Sequence, residues 1–438
     1  MDIKHCDVLL LCEKVLIYKN NEFVCEANKA LGIKDSKIAY LGDVKPQLTA
    51  KKTYTLKNHL VMPGFVNTHT HLAMSLFRGL ADNLPLKVWL EDYIFPLENH
   101  FVTEDFVKAG TQLALIELIR SGITTCCDMY FYNKTIATAL DQSGLRGRVG
   151  VAVPSVEKDW MQWGQKSLSL KEQFKNHPRV SLALAPHAPY TVESKTLSDI
   201  AKFSRKEDLF LTIHVSESQW EQEEIKKKYN KTPVQYLHDQ GITGNNVLFV
   251  HCVHVNQADL QIMAQTGTSF SYNPESNMKL SNGIAPINLA LKEGVTVGLG
   301  TDGSASNNNL NFFEEMGTGA KLQALKYGDE SVTAQQMLQM ATIEGAKALG
   351  LQDQIGSLEV GKKADIIALD LGHSSFHPCY NPISNIVYTA LGNEVSFVMC
   401  EGAVLMEDYQ IKSLDEKEIL KNSEIFAQKV KEFLSSKH

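Results

Sequence analysis

Two histidines separated by one residue, His69 and His71, follow the apolar run HLVMPGFV in the N-terminal part of the 438-residue chain. In a β-strand, residues i and i+2 project from the same face, so the two imidazoles would lie side by side. Neutral imidazole is a good ligand for zinc and related divalent metals. The spacing alone is weak evidence, because an ordinary pair of core or surface histidines would look the same.

Similar polar residues recur where later apolar runs end. His187 follows VSLALAP, His214 and Glu217 end LFLTIHVSE, His251 ends NVLFVH, and Asp302 ends VTVGLGTD. A buried imidazole or carboxylate needs a hydrogen-bonding or metal partner, so unrelated core packing explains such a series poorly. The pattern predicts one shared polar site, the alternative being a set of separate, satisfied polar residues.

The chemistry of that site follows from the donor types. His69, His71, His214 and Asp302 offer three nitrogens and one oxygen, which predicts one divalent metal ion with a coordination position left open, as in catalytic sites. Zinc is the expected ion, and iron or manganese would also suit these ligands. Such an ion lowers the pKa of a bound water to near neutrality and so supplies hydroxide at pH 7.

Two further residues suit proton transfer beside the metal. Glu217 lies three residues after His214, near enough to reach a substrate without being the obvious fourth ligand, and suits a general acid or base. His251 could hold or polarise the attacking hydroxide. His254, in the same HCVHV stretch, is interpreted as a supporting residue.

The elements that would position these groups form a repeating pattern. Amphipathic segments separate eight mostly apolar candidate strands, namely VMPGFVNTH, GITTCCDM, GRVGVAVP, VSLALAP, LFLTIHV, NVLFVHC, TSFSY and VTVGLGT. Strands buried on both faces read as continuous apolar runs. Eight such units predict an α/β fold, a (β/α)8 TIM-type barrel over residues 61–354, in which the carboxyl ends of the strands converge on one rim.

The two chain ends predict a second, smaller unit. Residues 1–60 and 355–412 contain short β-rich runs between turns, which indicates a small β-sandwich domain assembled from both ends of the chain. The last stretch of residues 355–438 is a charged amphipathic helix that we expect to pack on the outside of the barrel.

Composition excludes several classes of function. The chain is 44% hydrophobic and 21% charged with a net charge of −7, and its Lys and Arg are scattered, which argues against nucleic acid or a membrane as partner. No apolar run approaches the roughly 18 residues that span a bilayer. Eight dispersed cysteines without a CxxC pair indicate reduced thiols in a cytoplasmic protein. A homo-oligomer is compatible with this composition.

PGFVNTHTH, His214 with Glu217, His251, and GTDGSASNNNL together resemble the amidohydrolase superfamily. More narrowly, they are similar to its deaminases that act on 5′-methylthioadenosine and S-adenosylhomocysteine. The resemblance runs from about residue 55 to 315 and extends into both β-rich ends. It implies hydrolytic deamination of the adenine ring of a 5′-modified adenosine to an inosine-type product and ammonia, with 5′-deoxyadenosine and adenosine as further candidate substrates.

The resemblance also implies roles for individual residues. Glu217 would protonate the ring nitrogen beside C6, while His251 and Asp302 would position and deprotonate the water. The fourth strand ends in His187 and lacks the lysine of binuclear members, which implies one metal and leaves His187 free to contact substrate. Glu98 matches the glutamate that binds the ribose hydroxyls.

The segment that carries Glu98 contains apolar side chains as well. Leu86, Trp89 and Phe95 could form a wall for purine or thioether, although a helical stripe of this kind is often plain core. Arg146 and Arg148 lie before or within the third strand, and no arginine follows in the loop to meet an anionic tail. This departure favours methylthioadenosine over S-adenosylhomocysteine.

Two alternatives remain open at this point. The same machinery could act on a free base, a pterin or a triazine, although Glu98 argues for a nucleoside because a free base has no ribose. A non-catalytic barrel that binds a partner is the other alternative, and the complete set of ligand positions argues against it.

Overall fold

In the computed structural model, which describes residues 5–153 and 160–436, the chain forms two eight-stranded sheets. The strands are, in chain order, β1 (His5–Lys19), β2 (Glu22–Lys34), β3 (Lys37–Asp43), β4 (Thr49–Pro63), β5 (Phe65–Thr70), β6 (Ile123–Tyr130), β7 (Arg146–Val153), β8 (Val180–Pro186), β9 (Phe210–Val215), β10 (Val247–His251), β11 (Ser269–Tyr272), β12 (Val297–Leu299), β13 (Ile366–Asp370), β14 (Val395–Cys400), β15 (Ala403–Glu407) and β16 (Gln410–Ile411).

The sheet of strands β5 to β12 is the predicted barrel. Its neighbours pair in parallel and in sequence order, and each strand corresponds to one of the eight candidates. Every residue of β5, β6 and β9 is buried, as expected for strands covered on both faces. The ring closes where Thr70 forms a parallel bridge with Asp302, and the Asp302 N–H donates to the His69 carbonyl at 3.0 Å.

This closure depends on a close approach of backbone at Gly300. A Cβ atom there would lie 2.4 Å from Oδ1 of Asn273 and 3.0 Å from the backbone nitrogen of His69. Only glycine fits such a gap. The GLGTDG stretch therefore brings the last barrel strand against the first, and with it Asp302 against the two histidines of THTH.

Helices follow the barrel strands and cover the outside of the ring. They are α1 (Leu86–Val88), α2 (Phe95–Phe101), α3 (Glu104–Arg120), α4 (Asn133–Ser143), α5 (Met161–Gln173), α6 (Ser194–Lys206), α7 (Gln219–Tyr229), α8 (Pro233–Asp239), α9 (Gln257–Thr266), α10 (Pro274–Lys279), α11 (Ile287–Lys292), α12 (Ser304–Asn307), α13 (Phe312–Tyr327), α14 (Ala334–Met340), α15 (Ile343–Ala348), α16 (Pro382–Tyr388) and α17 (Glu416–Ser436). Short 3-10 turns occupy Leu72–Phe77, Gly328–Glu330 and Ser374–Phe376, and a π-helical turn spans Trp89–Ile94. Across the described ranges, none of these helices is long and apolar enough to cross a bilayer.

The other sheet is built from both ends of the chain, as predicted. Strand β4 lies at the join, where it pairs in parallel with β1 and antiparallel with β13. The sheet has an apolar core of its own, to which the N-terminal strands contribute Leu10 and Leu31 and the C-terminal strands contribute Ile366 and Phe397. The small β domain therefore exists only when the two chain ends come together.

The terminal helix α17 packs on the outside of the barrel, against α3. Arg120 and Glu416 form an ion pair at 2.6 Å, and the rings of Phe106 and Phe426 meet edge to face with centroids 5.6 Å apart. The expectation of an external amphipathic helix is confirmed.

Candidate metal centre and substrate cavity

A cavity of about 810 Å³ opens at the carboxyl ends of the barrel strands, within the size range of small-molecule sites. Most of the residues singled out in the sequence line it, namely His71, Leu86, Trp89, Phe95, Glu98, His187, His214, Glu217, His251 and Asp302. His69 is fully buried and contacts three of them. The structure thus brings the strand-end residues together in one place.

The four predicted metal ligands converge at the inner end of this cavity. Nε2 of His69 lies 3.3 Å from Nε2 of His214 and 3.4 Å from Oδ1 of Asp302. Nε2 of His71 lies 3.3 Å from the same Asp302 oxygen. Ligands about 2.1 Å from one tetrahedral ion lie roughly 3.4 Å apart, so these separations suit a single shared ion. The His251 ring also reaches the cluster, where its donor atom lies within 4.8 Å of those of His69 and Asp302.

Neighbouring carbonyls orient two of these imidazoles. Nδ1 of His71 donates to the carbonyl of Met129 at 2.5 Å, and Nδ1 of His214 donates to the carbonyl of His187 at 2.9 Å. A proton on Nδ1 leaves the Nε2 lone pair free, and in both residues Nε2 faces the cluster. The side chains are therefore held in the tautomer that binds a metal.

The carboxylate of Asp302 is oriented in the same way. Its Oδ2 accepts hydrogen bonds from the hydroxyls of Ser276 at 2.6 Å and Ser306 at 3.0 Å, and Oδ1 accepts one from the Gly303 N–H at 2.8 Å. The Asp302 backbone is left-handed, with φ of 57°, and Thr70 donates to its carbonyl at 3.1 Å. Thr70 thus faces the strand that closes the barrel and supports the Asp302 turn.

The electrostatics of the cluster fit a divalent cation. Burial lowers the pKa of His69 to about 4 and that of His214 well below its usual value. Burial alone would raise the pKa of Asp302, but the imidazoles of His69 and His71, when protonated, donate hydrogen bonds to it and hold that pKa well below its usual range. The Asp302 carboxylate outweighs burial at His71 and raises the pKa of that imidazole, whose proton a metal would displace. The donor set of neutral imidazoles and one anionic carboxylate therefore fits the expected metal.

Glu217 faces this cluster from the next strand end. Its Oε2 lies 3.6 Å from Nε2 of His251, and its Oε1 accepts a hydrogen bond from Nδ2 of Asn282 at 3.0 Å. Burial, together with the nearby carboxylates of Asp302 and Glu221, raises the pKa of Glu217 well above its usual value. The side chain is thus poised to hold a proton and to donate it.

One short loop supports three of these groups. Within residues 273–282, which follow β11, Ser276 donates to Asp302, the Asn277 carbonyl oxygen accepts from Nδ1 of His251 at 2.9 Å, and Asn282 donates to Glu217. Sequence reasoning missed Asn282, which lies in the same PESNMKLSN stretch as Ser276 and Asn277.

Farther out, Glu98 and His187 approach the cavity from different elements. Glu98 lies on α2, where its Oε1 accepts a hydrogen bond from the Tyr130 hydroxyl at 2.7 Å, and burial raises its pKa. His187 follows β8 and shares a hydrogen bond of 3.1 Å with the Thr191 hydroxyl. Sequence reasoning missed Tyr130, although it is the last residue of β6 and therefore lies at a strand end like the others.

The outer wall of the cavity is mainly apolar. Leu86, Trp89 and Phe95 all line it, together with Phe131 and Trp163 from the neighbouring loop and helix. Leu86 and Trp89 belong to the buried core as well, whereas Phe95 is exposed.

The basic residues of the third βα unit lie in different environments. Arg146 is buried in an ion pair with Asp365, and the guanidinium of Arg148 lies over the ring of Phe210, so neither lines the cavity. Lys166 of α5 does line it, and the sequence search missed this residue because it considered arginines alone. Residues 154–159 of the same loop lie outside the described residues.

A parallel eight-stranded barrel whose strand ends hold three histidines, an aspartate and a buried glutamate defines a class of metal-dependent hydrolases. Residues 60–405 match the Amidohydrolase family, and the chain belongs to this family.

Individual relatives are similar over nearly the whole chain. A protein of Thermoanaerobacter pseudethanolicus named 5-methylthioadenosine/S-adenosylhomocysteine deaminase is 39% identical over 95% of this chain and 97% of its own length. A Methanosarcina mazei protein named 5′-deoxyadenosine deaminase is 40% identical over 91% of this chain and 92% of its own. The crystal structure of an adenosine deaminase from Xanthomonas campestris with bound zinc is 30% identical, has a TM-score of 0.95, and covers 98% of this chain and 99% of its own.

Proposed function

We propose that this protein is a metal-dependent deaminase that converts a 5′-modified adenosine to the inosine-type nucleoside and ammonia. The observation that carries the proposal is the pairing of a His–His–His–Asp cluster with the buried carboxyl group of Glu217 within one cavity. Hydrolysis at an aromatic ring carbon needs both a strong nucleophile and protonation of the ring. The curated relatives act on nucleosides of this type, according to their names.

We assign the metal to His69, His71, His214 and Asp302, with zinc as the proposed ion and iron or manganese as ions that suit the same donors. When bound there, a divalent ion would supply hydroxide at neutral pH by lowering the pKa of a water. This ligand set uses one histidine from beyond the THTH pair and one carboxylate from the strand that closes the barrel.

The protein's own groups would move the protons. Because Asn282 donates to Oε1 of Glu217, the proton of that carboxyl belongs on Oε2, the oxygen nearer His251. Glu217 would give this proton to the ring nitrogen next to C6. His251 donates through Nδ1 to Asn277, so its Nε2 is free to accept a hydrogen bond from the attacking water and orient it.

Asp302 would complete the reaction. Its carboxylate would accept the remaining proton of the attacking water and pass it to the departing amine. The C6–N bond then breaks, ammonia leaves, and the oxygen from water remains on C6. The other proton of the water would restore the Glu217 carboxyl, which has given its own proton to the ring. One nucleoside and one water thus give one inosine-type product and one ammonia.

The nucleoside is proposed from the middle and outer parts of the cavity. Glu98 would accept hydrogen bonds from the two ribose hydroxyls, and His187 would contact the substrate beside it. Trp89, with Leu86 and Phe95, would pack against the purine or the 5′ substituent. The apolar wall suits a methylthio group, and Lys166 provides a cation for an anionic tail, so both methylthioadenosine and S-adenosylhomocysteine fit.

We further propose residues 61–354 as the hydrolase unit, with residues 1–60 and 355–438 as the two halves of the smaller domain and the terminal helix. We propose a cytoplasmic enzyme whose partner is the small-molecule nucleoside and which needs no nucleic acid or membrane. Its eight cysteines are all unpaired, as this assignment requires.

The test is ammonia release by zinc-loaded protein of measured metal content. Methylthioadenosine, S-adenosylhomocysteine, 5′-deoxyadenosine and adenosine would be compared with adenine, guanine, a pterin and a triazine. We expect turnover of the nucleosides and little of the free rings. Ammonia from a free ring alone would overturn the nucleoside assignment, and full zinc occupancy without any turnover would favour a binding protein.

A further inference from the structure

Glu221 is a buried carboxylate in the first turn of α7 that transfers no proton and contacts no substrate in the mechanism proposed above. It lies four residues after Glu217, and 1% of its surface is exposed. Its Oε1 accepts the backbone N–H of Ser216 at 2.7 Å, and its Oε2 accepts the backbone N–H of Glu217 at 2.9 Å. Both oxygens are therefore bound to the two peptide groups that lead into the proposed acid.

The backbone at this point has an uncommon conformation. Ser216 has a φ of 54°, in the left-handed region that residues with a Cβ rarely adopt. Such a conformation persists where the surrounding structure holds it. The other side of the same turn is held by the neighbouring strand end, since the Cys252 N–H donates to the Val215 carbonyl and the His254 N–H donates to the Ser216 carbonyl, both at 3.0 Å.

Ordinary helix capping does not account for the contacts of Glu221. Ser218 is the N-cap of α7, and in a capping box the third helical residue would bond back to the N–H of that cap. Asp259 does this at the start of α9, where it accepts from the N–H of its N-cap, Asn256, at 3.1 Å. Glu221 instead reaches past its own N-cap to the two residues before the helix.

We propose that Glu221 is a positioning residue, which clamps the left-handed turn at Ser216 and thereby aims the Glu217 carboxyl at the substrate ring. The inference rests on the proposed function, because it assumes that Glu217 protonates the ring. Glu217 is then fixed at both ends, at its backbone by Glu221 and at its carboxyl by Asn282.

The substitution Glu221→Gln tests the clamp, and Asp259→Asn is the matched control. A glutamine has one acceptor oxygen, and its NH₂ would face one of the two N–H groups, so it cannot bind both. We expect kcat on methylthioadenosine to fall about 10- to 100-fold while KM changes less than about threefold, because a small misplacement of a reacting group has this effect. Zinc content should be unchanged, and Asp259→Asn should keep kcat.

Two further measurements separate positioning from general damage. Amide hydrogen exchange at Ser216 and Glu217 should quicken in Glu221→Gln and not in Asp259→Asn. Adding Ser216→Gly to Glu221→Gln should recover part of kcat, because glycine adopts a positive φ without the clamp. If Glu221→Gln alone fails to fold, the double variant can be used in its place to measure the effect of losing the Glu221 contacts.

The clamp is overturned if Glu221→Gln keeps the wild-type kcat, if its loss is matched by lost zinc or by the Asp259 control, or if exchange at the two amides does not change. Failure of the proposed function has a different signature. In that case zinc-loaded wild-type protein deaminates none of the nucleosides. Amide exchange at Ser216 and Glu217 would still be faster in Glu221→Gln than in wild type.

Discussion

The inner and outer ends of the cavity are built in different ways. At the inner end, the groups proposed for the chemistry follow barrel strands, and Asp302, for example, is held by two hydroxyls and a backbone N–H. At the outer end, short helices and a π-helical turn between Leu86 and Phe101 supply mostly apolar surface, and Glu98 has one side-chain partner, Tyr130. We therefore propose that the barrel strand ends carry the reaction and that the segments inserted after them carry the choice of substrate.

This difference has a kinetic consequence. Substitutions at the inner end should lower kcat or metal content for every substrate alike. Substitutions at the outer end should change KM and the ranking of substrates while the metal stays bound.

The largest effect is expected for Asp302→Asn. The amide removes the anionic ligand and the proposed proton acceptor together, so we expect zinc content to fall and kcat/KM to drop by about 10,000-fold for all nucleosides. Metal analysis and kinetics on the same sample measure both. Full zinc occupancy with activity near that of wild type would show that Asp302 has neither role.

Asp302→Asn removes a metal ligand and a proton-transfer group at once. Glu217→Gln should remove a proton-transfer group alone. The variant should bind zinc normally, because Glu217 is proposed to touch the substrate and not the metal. We expect kcat to fall about 100- to 10,000-fold, as for the loss of a general acid, with KM little changed. A variant that instead lost its zinc would place Glu217 among the ligands.

Glu98→Gln changes a residue at the outer end of the cavity and should leave kcat nearly unchanged. We expect KM for methylthioadenosine to rise about 10- to 100-fold, since a charged acceptor of two hydroxyls is weakened, with a smaller effect on a 2′,3′-dideoxy analogue. Tyr130→Phe, which leaves the Glu98 carboxylate in place, is the companion variant and should lose less. An equal loss on both substrates would argue against ribose recognition.

Lys166→Met should give the smallest and most selective change. We expect kcat/KM for S-adenosylhomocysteine to fall about 3- to 10-fold relative to methylthioadenosine, as for a partly exposed charge pair, and to do so less at high salt. Lys171→Met is the control, because Lys171 lies on the same helix but donates to the Asp208 carbonyl at 2.9 Å. An unchanged ratio of kcat/KM for the two substrates would show that groups other than Lys166 bind the tail of S-adenosylhomocysteine.

The two ends of the cavity also differ in how far the sequence predicted them. The inner residues were predictable because each follows an apolar run, and a parallel barrel brings all such ends to one rim. Tyr130 obeys the same rule and could have been included. Asn282 and Lys166 could not, because their approach to the site depends on the path of a loop or the rotation of a helix, which no local pattern specifies.

The sequence predicted a small β domain built from both chain ends, but it did not predict which strands pair within it. Its strands come from stretches that are hundreds of positions apart, and only the folded chain shows that β4 joins β1 to β13. The continuation of β4 to Pro63, past the boundary expected at residue 60, has the same origin, since the length of a strand depends on its partners.

Strand β4 has a consequence for the order of synthesis. Gly64 alone separates it from β5, the strand that carries His69, and a Cβ on this glycine would lie 2.3 Å from the Thr124 side chain. One edge of β4 pairs with β13, which begins at Ile366. A ribosome must therefore make the whole barrel before that edge of β4 is covered. Exposed edges invite pairing with other chains. Chains that stop before Ile366 should therefore aggregate, as sedimentation would show, although every proposed metal ligand has by then been made.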